Sequence, residues 1–507
     1  MKKKVLALVL MLAMVLSLAA CGSKTETPST GDQTTTTPVE DTNTGDAATD
    51  NSGSAATSTI DANTLVVGTT EMNGDFLNGF GNSSYDLSIK VMLNGFCATI
   101  HQTAEGGFAV SENTVVKEYT TEVDPATGNK TYTFTIYDDL KWSNGTPITA
   151  ADYVAYYLWS ASPEWLTAGA SSTAGEGLIG YSAYYNGETK DFAGIKLIDD
   201  YTFSLTIDGA ELPYFYEVAY VAAEPWPLAA YAPGAKVVSD DNGSHFEWTE
   251  GDLAAACQNV AETERFAPSV TCGPYKFVSF ENQIVTLEKN ENFKGDYEGE
   301  LPKFQNVIQK AVPTETDVDQ VIAGELDLVC GVVEGSKIEA AKASGTTQLH
   351  SYFRSGYGLI AFECDWGPTA DPNVRWALAS LIDRSAVIDY VLGGYGGTVD
   401  AEYGTAQWTY QEKAADLAEV LKPLTFNVEV ANDYLDQSEY KYEADGTTPF
   451  DRSKATADGS YLRHNAEGKA LVIEHMGTDG NEVTDIIEIQ YAASSSSFSF
   501  LYTTFNS

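Results

Sequence analysis

TYTFTIYDDLKWSNGTPITAADYVAYYLWS, residues 131–160, decides the fold. It opens with strict alternation: Tyr132, Phe134 and Ile136 point one way, Thr131, Thr133 and Thr135 the other. Period two with β-forming residues predicts a half-buried strand. Asn144-Gly145 turns the chain, because both residues tolerate positive φ. Pro147 follows, and Thr149 is placed to cap a helix, with Asp152 three residues on as a capping box. Val154, Tyr157, Leu158 and Ala161 then recur at helical spacing.

The rest of the chain extends this mixed pattern. Asn63 to Thr70 reads as a buried strand leading into the loop Glu71 to Phe76. Phe192 to Leu205 reads as a hairpin turned at Asp199-Asp200. Cys272-Gly273-Pro274-Tyr275 leads a strand running to Phe280, with Gln283 to Lys289 as its partner and Asn290-Glu291-Asn292-Phe293 closing the unit. From Pro302 the pattern becomes strand, helix, strand: Val307 to Val312, then a helix capped by Thr314 and ended by Gly324, then Glu325 to Val329. Tyr357 to Phe362 reads as a further strand. Asp371-Pro372 starts a helix with an acid at the cap and proline at its first position, and Val374, Ala377, Leu378 and Leu381 form its apolar face. Leu471 to His475 reads as a strand, Val483, Ile486 and Ile487 fall on a helix, and Phe498 to Tyr502 as a strand near the end.

The amino terminus has a different character. Lys2, Lys3 and Lys4 precede an apolar run, Val5 to Leu16, too short to span a bilayer comfortably. Leu18-Ala19-Ala20-Cys21-Gly22 follows and resembles a bacterial lipobox. Residues 1–20 are therefore expected to be a lipoprotein signal peptide, with Cys21 lipidated and two acyl chains sufficient for anchoring. The plainer alternative is an ordinary signal peptide with a chance cysteine. Residues 21–62 are rich in Thr, Ser, Gly, Asp and Pro, cannot bury a core, and are expected to be a disordered tether. As a coil of about 40 residues it spans roughly 35 Å.

Composition excludes some classes. Against 29 basic residues stand 72 acids, a formal charge of −43, which argues against nucleic acid as a partner. Besides Cys21 there are Cys97, Cys257, Cys272, Cys330 and Cys364, without metal-ligand spacing; Cys330 and Cys364 each end a candidate strand and are the pair that could bridge. The five histidines are scattered, and neither GxSxG, HExxH nor GxxxxGK[ST] occurs. No catalytic residue, cofactor or metal is expected. The 72 acids offer many carboxylate pairs, so a secreted lipoprotein enzyme stays open as a competing class, as does a surface adhesin.

Four ordered blocks carry a resemblance. They are Leu140 to Pro147 with the Thr149-Ala150-x-Asp152 helix start, the Gly273-Pro274-Tyr275 hairpin, the strand–helix–Gly324-Glu325-x-Asp327 unit, and Val374-Arg375 with Ile382-Asp383-Arg384. Together they resemble the family 5 solute-binding proteins, the oligopeptide/dipeptide-type receptors of ABC importers. The resemblance implies an α/β, two-lobed, periplasmic-binding-protein-like (type II) clamp with an extra subdomain in the first lobe. Lobe I is then residues 63–302, with the insert at about 94–190, and lobe II is 303–507. Cys272 stands where the family often has Thr or Ser. The family usually continues past the last strand seen here, so lobe II is expected to lack its return to lobe I.

The implied function is a lipid-anchored, monomeric, extracytoplasmic receptor that captures peptides and delivers them to an ABC permease complex; oligosaccharides are the alternative solute. In the family the loop after the first strand faces the cleft, which makes Met72, Asn73 and Phe76 candidate solute contacts. The glycine-rich loop from Gly393 carries Tyr395, Tyr403, Trp408 and Tyr410, and in the family it runs along the cleft. Trp366 and Trp408 suit stacking on sugars. Arg375 and Arg384 read better as structural, paired with nearby acids such as Asp371 and Asp383.

Overall fold

The computed structural model describes residues 60–506 except 105, 249–250, 353–355, 422–423, 457 and 479–481. The expected signal peptide, Cys21 and the expected tether up to residue 59 lie outside the described residues. The first lobe is built on a five-stranded sheet in the order Tyr275–Glu281, Ile284–Lys289, Asn306–Ala311, Thr64–Thr69, Leu328–Val329. Thr64–Thr69 runs parallel to both of its neighbours; the hairpin strands pair antiparallel. Buried Met72, Phe76, Ile89, Leu93, Tyr275, Val285, Leu287 and Val307 form one core beside it.

This topology corrects two expected boundaries. Asn306–Ala311 and Leu328–Val329 pair with the opening strand, so the first lobe continues beyond residue 302 at least to Val329. The inserted subdomain likewise continues beyond 190. Its antiparallel sheet has the order Val116–Val123, Lys130–Ile136, Thr202–Ile207, Ile195–Leu197. The hairpin turned at Asp199-Asp200 thus belongs to the insert. The cause is non-local: Tyr132 faces Leu205 and Phe134 faces Phe203 across the pairing, and packing at that distance leaves no mark on either segment's own period.

The deciding stretch folds as read. Tyr132, Phe134 and Ile136 are buried, while the alternating threonines are half-buried. The helix Ala150–Ser160 starts at a reciprocal capping box, with the Asp152 carboxylate accepting from Thr149 N at 2.8 Å. Its buried face carries Tyr153, Val154, Tyr157, Leu158 and Trp159. Trp159 meets Trp165 and Trp226 at centroid distances of 5.9 and 5.6 Å, and all three rings are buried.

The second lobe has its own core. Val374, Ala377, Leu378 and Leu381 are buried with Ala431, Leu435, Ile473, Tyr491 and Phe500. Asp371 caps Pro372–Ser380, its carboxylate accepting from Asn373 N at 2.8 Å and from Glu439 N at 2.7 Å. Val472–Gly477 pairs parallel with Leu501–Asn506, and the helix Glu482–Phe498 connects them. Residues 357–362 form no strand; Ile360 and Phe362 pack at the edge of this core instead. The helix Asp317–Ala323 is capped at Thr316 rather than Thr314, and Gly324 ends it at φ 75° as expected. Cys330 and Cys364, the pair that could have bridged, are free and exposed.

Two substitutions separate capping from packing. Thr149→Ala removes one cap and should cost about 1 kcal/mol, whereas Trp159→Ala empties a buried indole site and should cost about 3–5 kcal/mol. Urea denaturation followed by tryptophan-independent circular dichroism measures both, and the second loss should exceed the first at least twofold.

Candidate solute cleft

The aromatic strap from Gly393 onward is fastened at several points. Arg384, at the start of the helix Arg384–Val391, donates to the Val399 carbonyl at 3.0 Å, to the Asp400 carboxylate at 2.8 Å and to the Leu424 carbonyl. A planar guanidinium with several donors suits this, because it can hold separate chain segments at once. The structural reading of Arg384 stands, with Asp400 as its ion-pair partner instead of Asp383, which caps the helix through Ala386 N. Arg375 is also structural: it donates to the Thr369 and Ala370 carbonyls at 2.6 and 3.1 Å. At the strap's first turn, the Tyr395 hydroxyl bonds Glu339 and Lys342 on the helix Gly335–Ser344. Those contacts hold the Glu339 carboxyl below its ordinary range. Tyr403 and Tyr410 stack at 4.8 Å and 26°. Burial raises the Tyr403 phenol, and the nearby Tyr410 and Asp400 raise it further.

Trp408, the first residue of the helix Trp408–Val420, reaches the inserted subdomain. Its ring lies edge-to-face on Phe215 (6.1 Å, 89°) and on Tyr216 (6.0 Å, 83°). Phe108 meets Tyr216 at 5.3 Å, and Tyr214 meets Tyr220 at 5.5 Å. The turn at Gly106-Gly107 lets the strap backbone approach: a Cβ on Gly106, whose φ is 81°, would lie 3.2 Å from the Ala406 carbonyl and 3.3 Å from Trp408 N. This seam joins second-lobe and first-lobe aromatics, and Phe215 remains 66% exposed beside it.

The expected contacts therefore divide. Trp408 lies at the seam, Tyr403 and Tyr410 stack on each other, and Tyr395 anchors the strap's start. Trp366 is 67% exposed, and no ring pairing among the described residues joins it to the seam. Asn73 is exposed at the loop after the first strand. Met72 and Phe76 are not surface residues. Phe76 packs on Phe277 and Phe280 at 5.6 and 5.2 Å, and the Met72 sulfur accepts from the Gln309 amide inside the same core. In a loop without periodicity, sequence does not tell which side chains turn inward. Sequence reading also missed Tyr214-Phe215-Tyr216. The available signal was three consecutive aromatics after Pro213, outside any periodic element.

Residues 114–484 match the family model described as bacterial extracellular solute-binding proteins, family 5 Middle. The chain belongs to this family. It is 25% identical over 310 residues to the oligopeptide-binding protein OppA of Bacillus subtilis, covering 58% of this chain and 50% of OppA. It is 27% identical over 266 residues to the dipeptide-binding protein DppE of the same organism, covering 52% of this chain and 43% of DppE. The chain thus spans about half the length of the curated relatives it matches. A lactococcal OppA solved in a closed conformation with an endogenous peptide superposes with a TM-score of 0.62 at 17% identity, covering 87% of this chain and 76% of that one. The fold is the two-lobed type II periplasmic-binding fold, with the insert in the first lobe. The family is one of extracytoplasmic solute binders, not of enzymes. Among the described residues no helix is long and apolar enough to cross a membrane, and no group of three or more His, Cys, Asp or Glu side chains is arranged to hold a metal ion.

Arg384→Ala should release the strap from Val399, Asp400 and Leu424 while the helix Pro372–Ser380 keeps its cap. Limited proteolysis should then cut within 393–407 several-fold faster than in the parent protein, with the melting of the two cores little changed.

Proposed function

We propose that this protein is the lipid-anchored receptor of an ABC importer, capturing peptides between its lobes and delivering them to a membrane permease. The observation that carries the reading is the seam of Trp408 with Phe215 and Tyr216. Rings from both lobes meet there, so a solute seated against it touches both. A ligand with contacts to both lobes binds the closed arrangement better than the open one, and that differential affinity drives closure. Large rigid rings also give contact area at low entropic cost, which suits solutes of varied side chain. Peptide is favoured over other solutes because the relatives OppA and DppE are named for oligopeptide and dipeptide binding.

The anchor in this proposal is Cys21, acylated after cleavage behind Ala20, with the tether holding a monomeric receptor near its permease. Asn73, Trp366, Tyr395, Tyr403, Trp408 and Tyr410 are the solute contacts proposed, joined by Phe215 and Tyr216. The exposed Trp366 indole favours a second reading, in which the same clamp stacks an oligosaccharide.

Thermal shift of the full-length chain separates the two. A solute that binds only the folded state at a hundredfold excess over Kd adds about 2.7 kcal/mol of stability. Mixed di- to hexapeptides should raise Tm, and α- or β-linked oligosaccharides should not; the reverse pattern would replace peptide by sugar. Trp408→Ala should weaken calorimetric peptide affinity about tenfold, equal to about 1.4 kcal/mol, with the lobes still folded. Unchanged affinity would remove Trp408 from the site.

A further inference from the structure

Two buried cysteines meet at the root of the inserted subdomain. Cys97 follows the helix Ser84–Asn94, and Cys272 leads into the strand Tyr275–Glu281. They are 8% and 2% exposed and belong to one core. The Cys97 thiol donates to the Cys272 carbonyl at 3.0 Å, and the Cys272 thiol reaches the Asn94 carbonyl at 3.6 Å. Both residues line a small void of about 10 Å³, close to the space of a single water, which leaves the side chains room to turn.

Backbone contacts fix this meeting. Gly273 N donates to the Leu93 carbonyl at 2.7 Å, and a Cβ on Gly273 would lie 2.8 Å from that carbonyl. Glycine at 273 therefore lets the two segments touch backbone to backbone. Cys272 N donates to the Asn94 side-chain carbonyl at 3.4 Å, and the Asn290 side-chain amide holds the Gly273 carbonyl at 2.8 Å from the far end of the hairpin. On the other segment, Phe96 turns the chain into Cys97 at φ 67°, a conformation that a non-glycine residue keeps only where its surroundings hold it. The Tyr153 hydroxyl then donates to the Cys97 carbonyl at 2.8 Å. Among the described residues the other cysteines stand apart. Cys257 is buried against Glu164 and Ser162, and Cys330 and Cys364 are exposed.

We propose that Cys97 and Cys272 are joined by a disulfide in the extracytoplasmic protein, stapling the root of the insert to the hairpin of the first-lobe sheet. The family's place outside the cytoplasm permits such a bond. The step is a thiol–disulfide exchange with an external disulfide as oxidant. One protein thiol gives up its proton and its sulfur attacks that disulfide, releasing one reduced thiol and leaving a mixed disulfide. The second protein sulfur, also deprotonated, displaces the remaining half. Two protein thiols are thus oxidised to one Sγ–Sγ bond, and the external disulfide is reduced to two thiols that take up the two protons. Burial, reinforced by the neighbouring Cys97 side chain, pushes the Cys272 thiol well above its ordinary range, so thiolate is scarce and exchange is slow while the core is closed. The closed loop contains the whole antiparallel sheet of the insert and the Tyr214-Phe215-Tyr216 wall. Constraining a loop of 175 positions in the unfolded chain favours the folded state.

The test uses the full-length chain in urea below its unfolding midpoint, raised until N-ethylmaleimide labels both Cys97 and Cys272. That labelling sets the time in which the two thiols become accessible. Over the same time with oxidised glutathione in place of maleimide, peptide mapping without reduction should find the Cys97 and Cys272 peptides linked in most chains, two hydrogens lighter than their sum. Oxidation should also raise Tm by several degrees over the dithiothreitol-treated chain. Cys272→Ser replaces the thiol with a hydroxyl and should lose that rise, whereas Cys330→Ser should keep it. Accessible thiols that stay unlinked or carry only glutathione overturn the proposal, as does a Tm rise that persists in Cys272→Ser. The mapping needs no variant, so it remains decisive if Cys272→Ser does not fold.

Discussion

The parallel pairing of Thr64–Thr69 with Asn306–Ala311 is the constraint on which the rest depends. It joins segments 242 residues apart, Thr64 opposite Asn306, and everything between must fold as one closed excursion from this ladder. On the other side the strand pairs with Leu328–Val329, and the Asp327 carboxylate accepts from Val66 N at 2.8 Å. The opening strand is therefore internal to the sheet, paired along its length on one side and at Val67 and Gly68 on the other. Gly68 permits this approach: a Cβ there would lie 2.6 Å from Leu326 Cδ1. Closing so long a loop costs entropy that only grows slowly with length, so a large insert is tolerable once the ladder forms. The same non-local pairing predicts slow folding relative to helical proteins of similar size.

From that frame the insert projects a surface that the first lobe's sheet does not have. Its hairpin sheet and the buried helix Ala150–Ser160 are rigid, and they set Phe215 and Tyr216 opposite Trp408. The second lobe supplies its half of the seam on a strap, which is less regular but fastened by Arg384 and Tyr395. In the proposed receptor, a wall facing a fastened strap would let different solutes fit without rebuilding either core. It also means that changes at Arg384, which touches no solute in this account, can alter binding through the strap's position.

Much of the fold was legible because its signals are local. Alternation at Tyr132, Phe134 and Ile136, the Thr149–Asp152 capping box and the Asp371-Pro372 start each depend on residues a few positions apart, and each is present. The boundaries were not legible, since they follow from which distant strand pairs with which. Thr202–Ile207 looks the same in sequence whether it joins the insert or the first lobe. The placement of the candidate residues was legible in part for the same reason. The strap announced itself by glycines and aromatics, whereas Met72 and Phe76 lie in a loop whose inward face only the Phe277 and Phe280 rings define. Arg384 illustrates the limit well: its helix start was evident, but Val399, Asp400 and Leu424 come together only in the fold.

The central claim is that two lobes close on a solute that touches both. Small-angle X-ray scattering of the full-length chain, without and with a saturating peptide mixture, measures this directly. The account predicts a smaller radius of gyration and a narrower pair-distance distribution with peptide, and a much reduced change in Trp408→Ala at the same peptide concentration. An unchanged radius under conditions where peptide demonstrably raises Tm would contradict the clamp and would place solute binding on one lobe alone.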